Sequence, residues 1–303
     1  MNSLFRLSFF AASLCLLAAC SSTKPLSATM NVTKGDSFGY TVTQHTNMDI
    51  SVMGQDMSTT GRQDTEYAFT IMEVAPSGDF KTDVTIQRVA FQQKVPMVGD
   101  IMYDSADKEG SENSPLKSLG ETVGKRFQVS YNKNGIIEKT EGVQAIIGDL
   151  TKSMNKQGAE QIVSQFGTEG ITNTLKNLSG IIQGSPEVGS TWNQKTEAMG
   201  MVNMSLDQTY TLTERKDGKA TITVGGTAKT IDGDAALEFQ GMQISYDMEG
   251  PITGTIIVDE KTGWAISSDV TPNLKGKMTL TGGPLGSMSA NASMKMGISA
   301  KRK

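Results

Sequence analysis

One short stretch near the start of the chain has the residue types for a defined covalent modification. Leu17-Ala18-Ala19-Cys20 closes an apolar run that begins at Leu7, behind the single cation Arg6. A short apolar helix of this kind enters the export machinery, small residues give a peptidase access to the backbone, and the cysteine thiol accepts a diacylglyceryl group. The sequence therefore predicts a lipoprotein signal peptide over residues 1–19 and lipidation at Cys20.

The residues after Cys20 predict where the anchored body resides. Residues 20–28 form a short polar stretch that predicts a lipidated flexible tether. Ser21 and Ser22 follow the cysteine without an aspartate, as in the sorting pattern of outer-membrane lipoproteins, and no acidic cluster follows them. We therefore expect a lipid-anchored protein of the outer membrane that faces the periplasm and has the membrane as a partner.

Other catalytic chemistry has few candidate residues in this sequence. His45 is the single histidine, and the alternation around it predicts that it lies on the polar face of a strand. Nucleophile elbows, phosphate loops and dinucleotide fingerprints are absent from the sequence, and residues 282–286 predict a hairpin turn. We expect no enzyme, no catalytic residues and no cofactor.

Two residue groups offer metal ligands, and each has a structural alternative. Asp104, Asp107, Glu109 and Glu112 supply oxygen ligands for Ca²⁺ but lack the spacing of an EF-hand loop, so we favour an exposed acidic loop. A set of methionines supplies soft sulfur for Cu(I), but their spacing also suits the buried face of strands. The set consists of Met199, Met201, Met204, Met294 and Met296. We therefore predict no metal site, and Asp232-Gly233-Asp234 is interpreted as a turn.

The net charge of the chain narrows the class of partner. The chain carries 28 Lys+Arg and 32 Asp+Glu, and removal of residues 1–19 takes away Arg6 alone, so 27 − 32 gives a net charge of −5. This charge argues against nucleic acid as a partner.

The other cysteine, Cys15, lies in the predicted signal peptide. No disulfide can therefore stabilise the body, and its stability must come from its core.

Alternating apolar and polar residues predict long strands in two separate regions. From Phe38 to Val52 the even positions are mostly apolar and the odd positions polar, which indicates a long strand with one solvent-exposed face. Further strands and glycine-containing turns give an antiparallel meander, and we assign 29–140 to a first β-rich half. Apolar residues at helical spacing then predict a helical insert of two or three helices over 141–183. Strand patterns return in 184–303, the second β-rich half.

Three turn sequences recur in the same order in the two halves. Residues 34–38 are echoed by 188–192, the turn around Gly78 by the turn around Gly218, and residues 132–137 by 259–264. We interpret this as an internal duplication. The predicted fold class is mainly β with a helical insert, built from two related curved antiparallel sheets. Either the sheets face each other as in a sandwich, or the helices fill the concavity of a half-barrel.

Several of these motifs together resemble a known family. Lys34-Gly35-Asp36, Tyr103-Asp104-Ser105, Gly189-Ser190-Thr191-Trp192 and Lys261-Thr262-Gly263 follow the lipidation motif in order. This arrangement resembles a family of uncharacterised bacterial envelope lipoproteins of about 300 residues with two similar β-rich halves, a domain of unknown function. The resemblance implies no catalytic or binding residues.

The function we expect from the sequence is that of a non-catalytic binding or interaction module whose partner is an envelope protein or an apolar ligand. The alternative is a carrier or sensor of a lipid or other apolar ligand in a cavity between curved sheet and helices. Abundant methionine, with 18 residues, favours this alternative because thioether side chains adapt to irregular apolar shapes. A carrier of this type needs a cavity of about 300 Å³ or more.

We predict that Cys20→Ser releases the protein from the membrane fraction, because it removes the sulfur that accepts the lipid. Membrane fractionation and incorporation of labelled palmitate check this outcome. Cys15→Ser is the matched control and should leave both readouts unchanged. A Cys20→Ser protein that remains in the membrane fraction would contradict the prediction.

Overall fold

We describe a computed structural model that consists mainly of antiparallel strands. It describes residues 25–52, 55–95, 99–114, 116–151, 167–198, 202–231, 237–239, 242–283 and 286–303. The predicted signal peptide and Cys20 lie outside these ranges, so both remain predictions. No helix in the described ranges is long and apolar enough to cross a membrane.

In the described ranges, thirteen strands form one curved, open sheet. The strands are β1 (Ser37–Val52), β2 (Gln55–Val74), β3 (Phe80–Val95), β4 (Gly99–Asp104), β5 (Arg126–Tyr131), β6 (Ile137–Glu141), β7 (Thr191–Ala198), β8 (Met204–Lys216), β9 (Lys219–Thr230), β10 (Leu237–Phe239), β11 (Met242–Asp259), β12 (Ala265–Gly283) and β13 (Gly286–Arg302). We call β1–β6 the first half and β7–β13 the second half. The predicted mainly antiparallel β fold is confirmed.

The two halves join through their first and last strands. β1 pairs with β13 continuously from Tyr40 opposite Arg302 to Ser51 opposite Asn291. The order across the sheet is β6-β5-β3-β2-β1-β13-β12-β11-β9-β8-β7, with β4 beside β3 and β10 beside β11. The two sheets expected from the sequence are therefore regions of one sheet, because the β1–β13 pairing satisfies the edges that would otherwise separate them.

Helices lie in two connections between strands of the sheet. α1 (Lys108–Ser111) and a 3₁₀ helix (Lys117–Thr122) follow β4, and α2 (Val143–Thr151) and α3 (Thr168–Lys176) lie between β6 and β7. The apolar side chains of α2 and α3 are buried against the apolar face of the first half. Between edge strands β6 and β7, α2 and α3 thus cover this apolar face. Part of the predicted helical insert, residues 152–166, lies outside the described residues.

Turns that the sequence analysis paired make matching hydrogen bonds. The Gly35 amide donates to the Ile71 carbonyl at 2.8 Å, and the Gly189 amide donates to the Leu212 carbonyl at 2.7 Å. Each glycine has a φ of 93°. The turns that contain Gly135 and Gly263 also share a pattern, since each is closed by a side chain at its first position, Asn132 or Asp259, that accepts an amide two residues on at 2.9 Å. The local geometry therefore agrees with the paired motifs, while duplication itself remains a prediction.

A tryptophan from the second half completes the core of the first half. Trp264 is 1% exposed, and its ring lies 4.7 Å from the ring of Phe38 and 5.7 Å from that of Tyr131. The hydroxyl of Tyr40 donates to the Ala265 carbonyl. Because aromatic burial is among the largest apolar contributions to stability, these contacts hold the β11–β12 turn against the first half.

Residues 25–32 form a strap across one end of the sheet. The Leu26 amide donates to the Pro186 carbonyl at 3.1 Å, the Met30 amide to the Lys133 carbonyl at 2.8 Å, and the Asn31 amide to the Thr262 carbonyl at 3.2 Å. Leu26 is 2% and Met30 6% exposed. The strap therefore contacts both halves and the segment that connects them, and we call this end of the sheet the strap end.

Gly226 marks a close approach between β8 and β9. Its φ is 144°, and a Cβ at this position would collide with the Asp207 carbonyl oxygen. Its neighbour Gly225 has no atom within 4 Å of a built Cβ. The backbone at residue 226 therefore requires glycine, and the backbone at residue 225 does not.

We predict that Gly226→Ala lowers the free energy of unfolding by about 3 kcal/mol, because it combines an unfavourable φ with a backbone collision. Gly225→Ala is the matched control and should change the stability by less than about 1 kcal/mol. Urea denaturation followed by circular dichroism measures both values. Equal stabilities for the two variants would argue against this strand geometry.

Candidate functional site

A partly enclosed cavity of about 130 Å³ lies between α3 and the second half of the sheet. One wall comes from the last residues of α3 and from Asn177, and the others come from β1, β7, β8, β11, β12 and β13. The cavity therefore lies where the β1–β13 pairing brings the two halves together. Pockets where several elements meet are the usual location of small-molecule sites.

Strand alternation makes most of the cavity wall apolar. Met204 and Ile252 are 3% and 1% exposed, and Val270 is 6% exposed. Leu206 and Ile298 are partly buried and pack against the apolar clusters of the sheet. Side chains at every second position of these strands point to the covered face. The apolar lining therefore follows from the alternation of apolar and polar residues along each strand.

Most polar side chains of the cavity wall are uncharged, and its charged residues Lys176 and Glu197 are solvent-exposed. Gln44 Nε2 donates to Thr174 Oγ1 of α3 at 3.2 Å, and Thr174 Oγ1 donates to the Gly170 carbonyl at 3.0 Å. The Tyr210 hydroxyl donates to Gln208 Oε1 at 3.3 Å, and Gln208 is 5% exposed. These groups can orient a hydroxyl, ester or amide without placing a charge in a buried site.

A stacked aromatic pair fixes the position of Tyr210. The ring of Trp192 on edge strand β7 lies 5.8 Å from that of Tyr210, with an interplanar angle of 8°. Trp192 Nε1 donates to the Ile181 carbonyl at 3.1 Å. Burial raises the pKa of Tyr210 to about 12, so its hydroxyl stays protonated at neutral pH.

An open groove of about 650 Å³ adjoins the cavity between α3 and β7. It shares Asn173, Lys176, Thr196 and Glu197 with the cavity wall. Lys195, which also lines the groove, pairs with Asp207 at 3.1 Å. The site is therefore apolar inside and mixed in charge outside, which suits a ligand with one apolar part and one polar part.

The structure places His45 away from the interior of the cavity. His45 borders the cavity, but its imidazole packs over Gly297, and strand alternation directs it to the opposite face of the sheet from Gln44. This position agrees with the polar face expected from the sequence. The predicted lipidation site, Cys20, lies outside the described residues, as do Met199, Met201 and residues 232–234.

Several of the candidate metal ligands make structural contacts within the body. The Asp104 carboxylate accepts hydrogen bonds from Arg88 at 2.6 and 2.9 Å, which holds the pKa of Asp104 below its usual range. Asp107 accepts from the Gly110 amide at 3.0 Å and caps α1. Met204 and Met294 are buried in the core, and Met296 packs against it. Among the described residues, no group of three His, Cys, Asp or Glu side chains is arranged to hold a metal ion.

Gln44 and Gln208 line the cavity but were not predicted from the sequence. Both residues occupy the buried phase of their strands, between apolar neighbours such as Val42 and Tyr210. A polar residue at a position that the alternation assigns to the core was therefore the sequence signal that could have identified them. No local sequence signal shows that α3 covers these two side chains, because this depends on tertiary packing.

Comparisons with known proteins give a family and some distant structural similarity. The profile of the Family of unknown function (DUF6263) matches residues 77–265. No curated protein sequence matches the chain. Three of the similar solved structures are distant from the chain in sequence.

The first is a structure of lipid-protein interactions in lipovitellin, with 11% identity, a TM-score of 0.47 and coverage of 90% of this chain. This chain spans 25% of the length of that lipovitellin chain. The outer membrane protein OprG from Pseudomonas aeruginosa has 8% identity, a TM-score of 0.23 and coverage of 89% and 97% of the two chains. A DUF1329 family protein from Desulfovibrio piger has 10% identity, a TM-score of 0.14 and coverage of 84% and 83%. Because these TM-scores lie below 0.5, the functional argument rests on the chain's own residues.

We predict that the tyrosines of the native protein titrate at a higher pH than the tyrosines of the unfolded chain. Burial raises the pKa of every tyrosine in the chain, which are Tyr40, Tyr67, Tyr103, Tyr131, Tyr210 and Tyr246. A raised pKa means that the native state holds the proton more tightly than the unfolded state. The resulting contribution to the free energy of unfolding is present below pH 10 and is lost as the pH rises toward 12.

Absorbance at the tyrosinate band in native and in denatured protein, with urea titrations across the same pH range, tests this. The denatured chain should titrate near pH 10, and the native free energy of unfolding should fall above that pH. A native midpoint near pH 10 would show that the tyrosines are accessible to water and would contradict the structure.

Proposed function

Because this chain belongs to the Family of unknown function (DUF6263), we propose its function from its own residues: it is a lipid-anchored, non-catalytic binding module of the bacterial envelope. Its binding site is the cavity between α3 and the second half of the sheet. The single observation that carries the proposal is this cavity, which combines buried apolar side chains with uncharged hydrogen-bonding groups.

The size of the cavity limits what it binds. An engineered apolar cavity of about 150 Å³ in another protein stays dry and binds benzene or xenon. The cavity here, at about 130 Å³, accommodates one ring or a few methylene groups of a ligand. We therefore propose that an apolar end of the ligand enters the cavity while its polar part lies in the adjoining groove beside Lys176 and Glu197.

The character of the polar groups supports binding without catalysis. Gln44, Gln208 and Asn177 contribute amides, and Tyr210 contributes a hydroxyl whose pKa is raised to about 12 by burial. Amides and a protonated phenol orient a ligand but do not form a nucleophile with an adjacent general base. The imidazole of His45, the natural candidate for a base, lies on the other face of the sheet.

The anchor at Cys20 places this module in the envelope. Diacylation of Cys20 and cleavage before it would attach the body stably to a membrane, since two or more acyl chains are needed for lasting attachment. The serines after the cysteine favour the outer membrane and its periplasmic face. A periplasmic body could contact both lipids and other envelope proteins.

A carrier of a whole lipid is the second candidate, and the groove favours it. The enclosed cavity alone is smaller than the volume of about 300 Å³ expected for a carrier. The adjoining groove adds about 650 Å³ of open space along α3 and β7, enough for further parts of an amphipathic ligand. Stoichiometric lipid bound to protein purified without detergent would favour the carrier over a module that binds one apolar group.

Ligand binding is tested with Cys20→Ser protein purified without detergent and a panel of benzene, fatty acids and phospholipids. A ligand at 100 times its Kd should stabilise the protein by about 2.7 kcal/mol, which raises the Tm by about 5 to 10 °C for a chain of this size. Native mass spectrometry reports whether a lipid is already bound. No shift with any compound, together with a clean apo mass, would refute the ligand site.

Ala198→Phe serves as the blocking variant because Ala198 lies in the cavity wall at the end of β7. The added ring should remove the Tm shift caused by the ligand. Asn193→Phe places the same ring on the exposed face of the same strand and is the matched control. Loss of the shift in both variants, or in neither, would locate binding elsewhere.

A further inference from the structure

The strap fixes the point at which the chain enters the body. Leu26 and Met30 are buried, and backbone hydrogen bonds tie the strap to Pro186, Lys133 and Thr262. Met30 lies between two turns, because a Cβ built on Gly135 would be 3.0 Å from the Met30 sulfur and one built on Gly263 would be 2.6 Å from it. The strap is therefore packed into the body and does not hang from it.

The predicted anchor is close to this fixed point in sequence. Leu26 is six Cα-to-Cα steps beyond Cys20, so even a fully extended chain spans only about 20 Å between them. The strands are much longer than this distance. From Ser58 to Val74, β2 alone extends on the order of 50 Å. Because the tether is shorter than the sheet, the strap end must stay near the lipid surface. The body therefore cannot turn round so that the opposite end of the sheet contacts the lipid and the strap end points away from the membrane.

The side chains at the strap end are compatible with a lipid surface. Ile136 is 51% and Val188 is 55% exposed, and each lies in a turn at this end. Lys133 and Lys261 are exposed in the turns whose backbone holds the strap. Apolar tips beside lysines are the combination that contacts headgroups of an anionic leaflet.

We propose that the strap end is the face of the protein that lies against the membrane surface, with the sheet standing away from the bilayer. This inference rests on the proposed lipid anchor at Cys20 and adds the orientation of the body. The same orientation determines where the ligand groove lies relative to the bilayer. Lys195, which lines the groove, is four residues along β7 from Thr191 at the strap end, a distance of about 13 Å. The groove thus opens in the half of the body that is nearer the bilayer.

The experiment uses the full, acylated chain in vesicles of phosphatidylethanolamine and phosphatidylglycerol that carry an energy-transfer acceptor on the headgroup. Lys219→Cys places a donor dye at the strap end, in the hairpin that contacts the β11–β12 turn through the Glu260 amide and the Gly218 carbonyl. Ser58→Cys places the same dye at the opposite end, on an exposed position. Both labels are selective because the mature chain would hold no other free thiol.

Energy transfer from position 219 should exceed transfer from position 58 by at least about threefold, given an end-to-end separation on the order of 50 Å. Equal or reversed transfer in protein that is shown to be acylated would overturn the orientation and leave the anchor intact. Absence of an acyl chain by mass spectrometry would instead overturn the proposed anchor, and the orientation with it.

A tether variant tests the cause of the orientation. Insertion of a Gly-Ser linker of about 20 residues between Ser22 and Thr23 lengthens the root-mean-square reach of the tether to roughly 30 Å. If the short tether holds the strap end at the membrane, the ratio of the two transfer efficiencies should fall toward one. An unchanged ratio would overturn the tether as the cause.

Discussion

The pairing of β1 with β13 is the interaction on which the rest of this structure depends. It joins the beginning and the end of the body along a continuous register from Tyr40 to Ser51. Without it, each half would expose a long strand edge, which is a template for aggregation. With it, the two halves share one apolar face, and a single crossover from β6 to β7 can cover that face. The cavity lies beside this junction, where Gln44 of β1 and Ile298 of β13 meet α3.

Contacts between the halves reinforce this junction at the strap end. Trp264 comes from the second half but packs among the aromatic rings of the first. Met30 lies between the corresponding turns of the two halves, and the strap makes backbone hydrogen bonds to both. The halves therefore have separate apolar clusters but a common closure at one end. This closure fixes where a lipid tether leaves the body, which links the packing of the core to the orientation at a membrane.

Local patterns in the sequence predicted most of the elements, and non-local contacts account for what they missed. The alternation in Phe38–Val52 predicted β1, and the helical spacing of Val143, Ile146 and Ile147 predicted α2. The single sheet was not predicted, because β1 and β13 are about 250 residues apart and register between such strands has no local signal. The cavity was foreseen only as an alternative, since it depends on how α3 meets Gln44 and Gln208. Cys20 remains a prediction of the sequence alone.

A partly enclosed, mainly apolar cavity with a few uncharged polar groups lies between α3 and the second half of the sheet. Crystals of the protein pressurised with xenon test it most directly, because xenon enters apolar cavities of this size without needing a specific partner. We predict one xenon atom beside Ile252 and Val270, inside the wall completed by Tyr210. Ordered waters on Gln208 and Tyr210 with no xenon at this position would contradict the account.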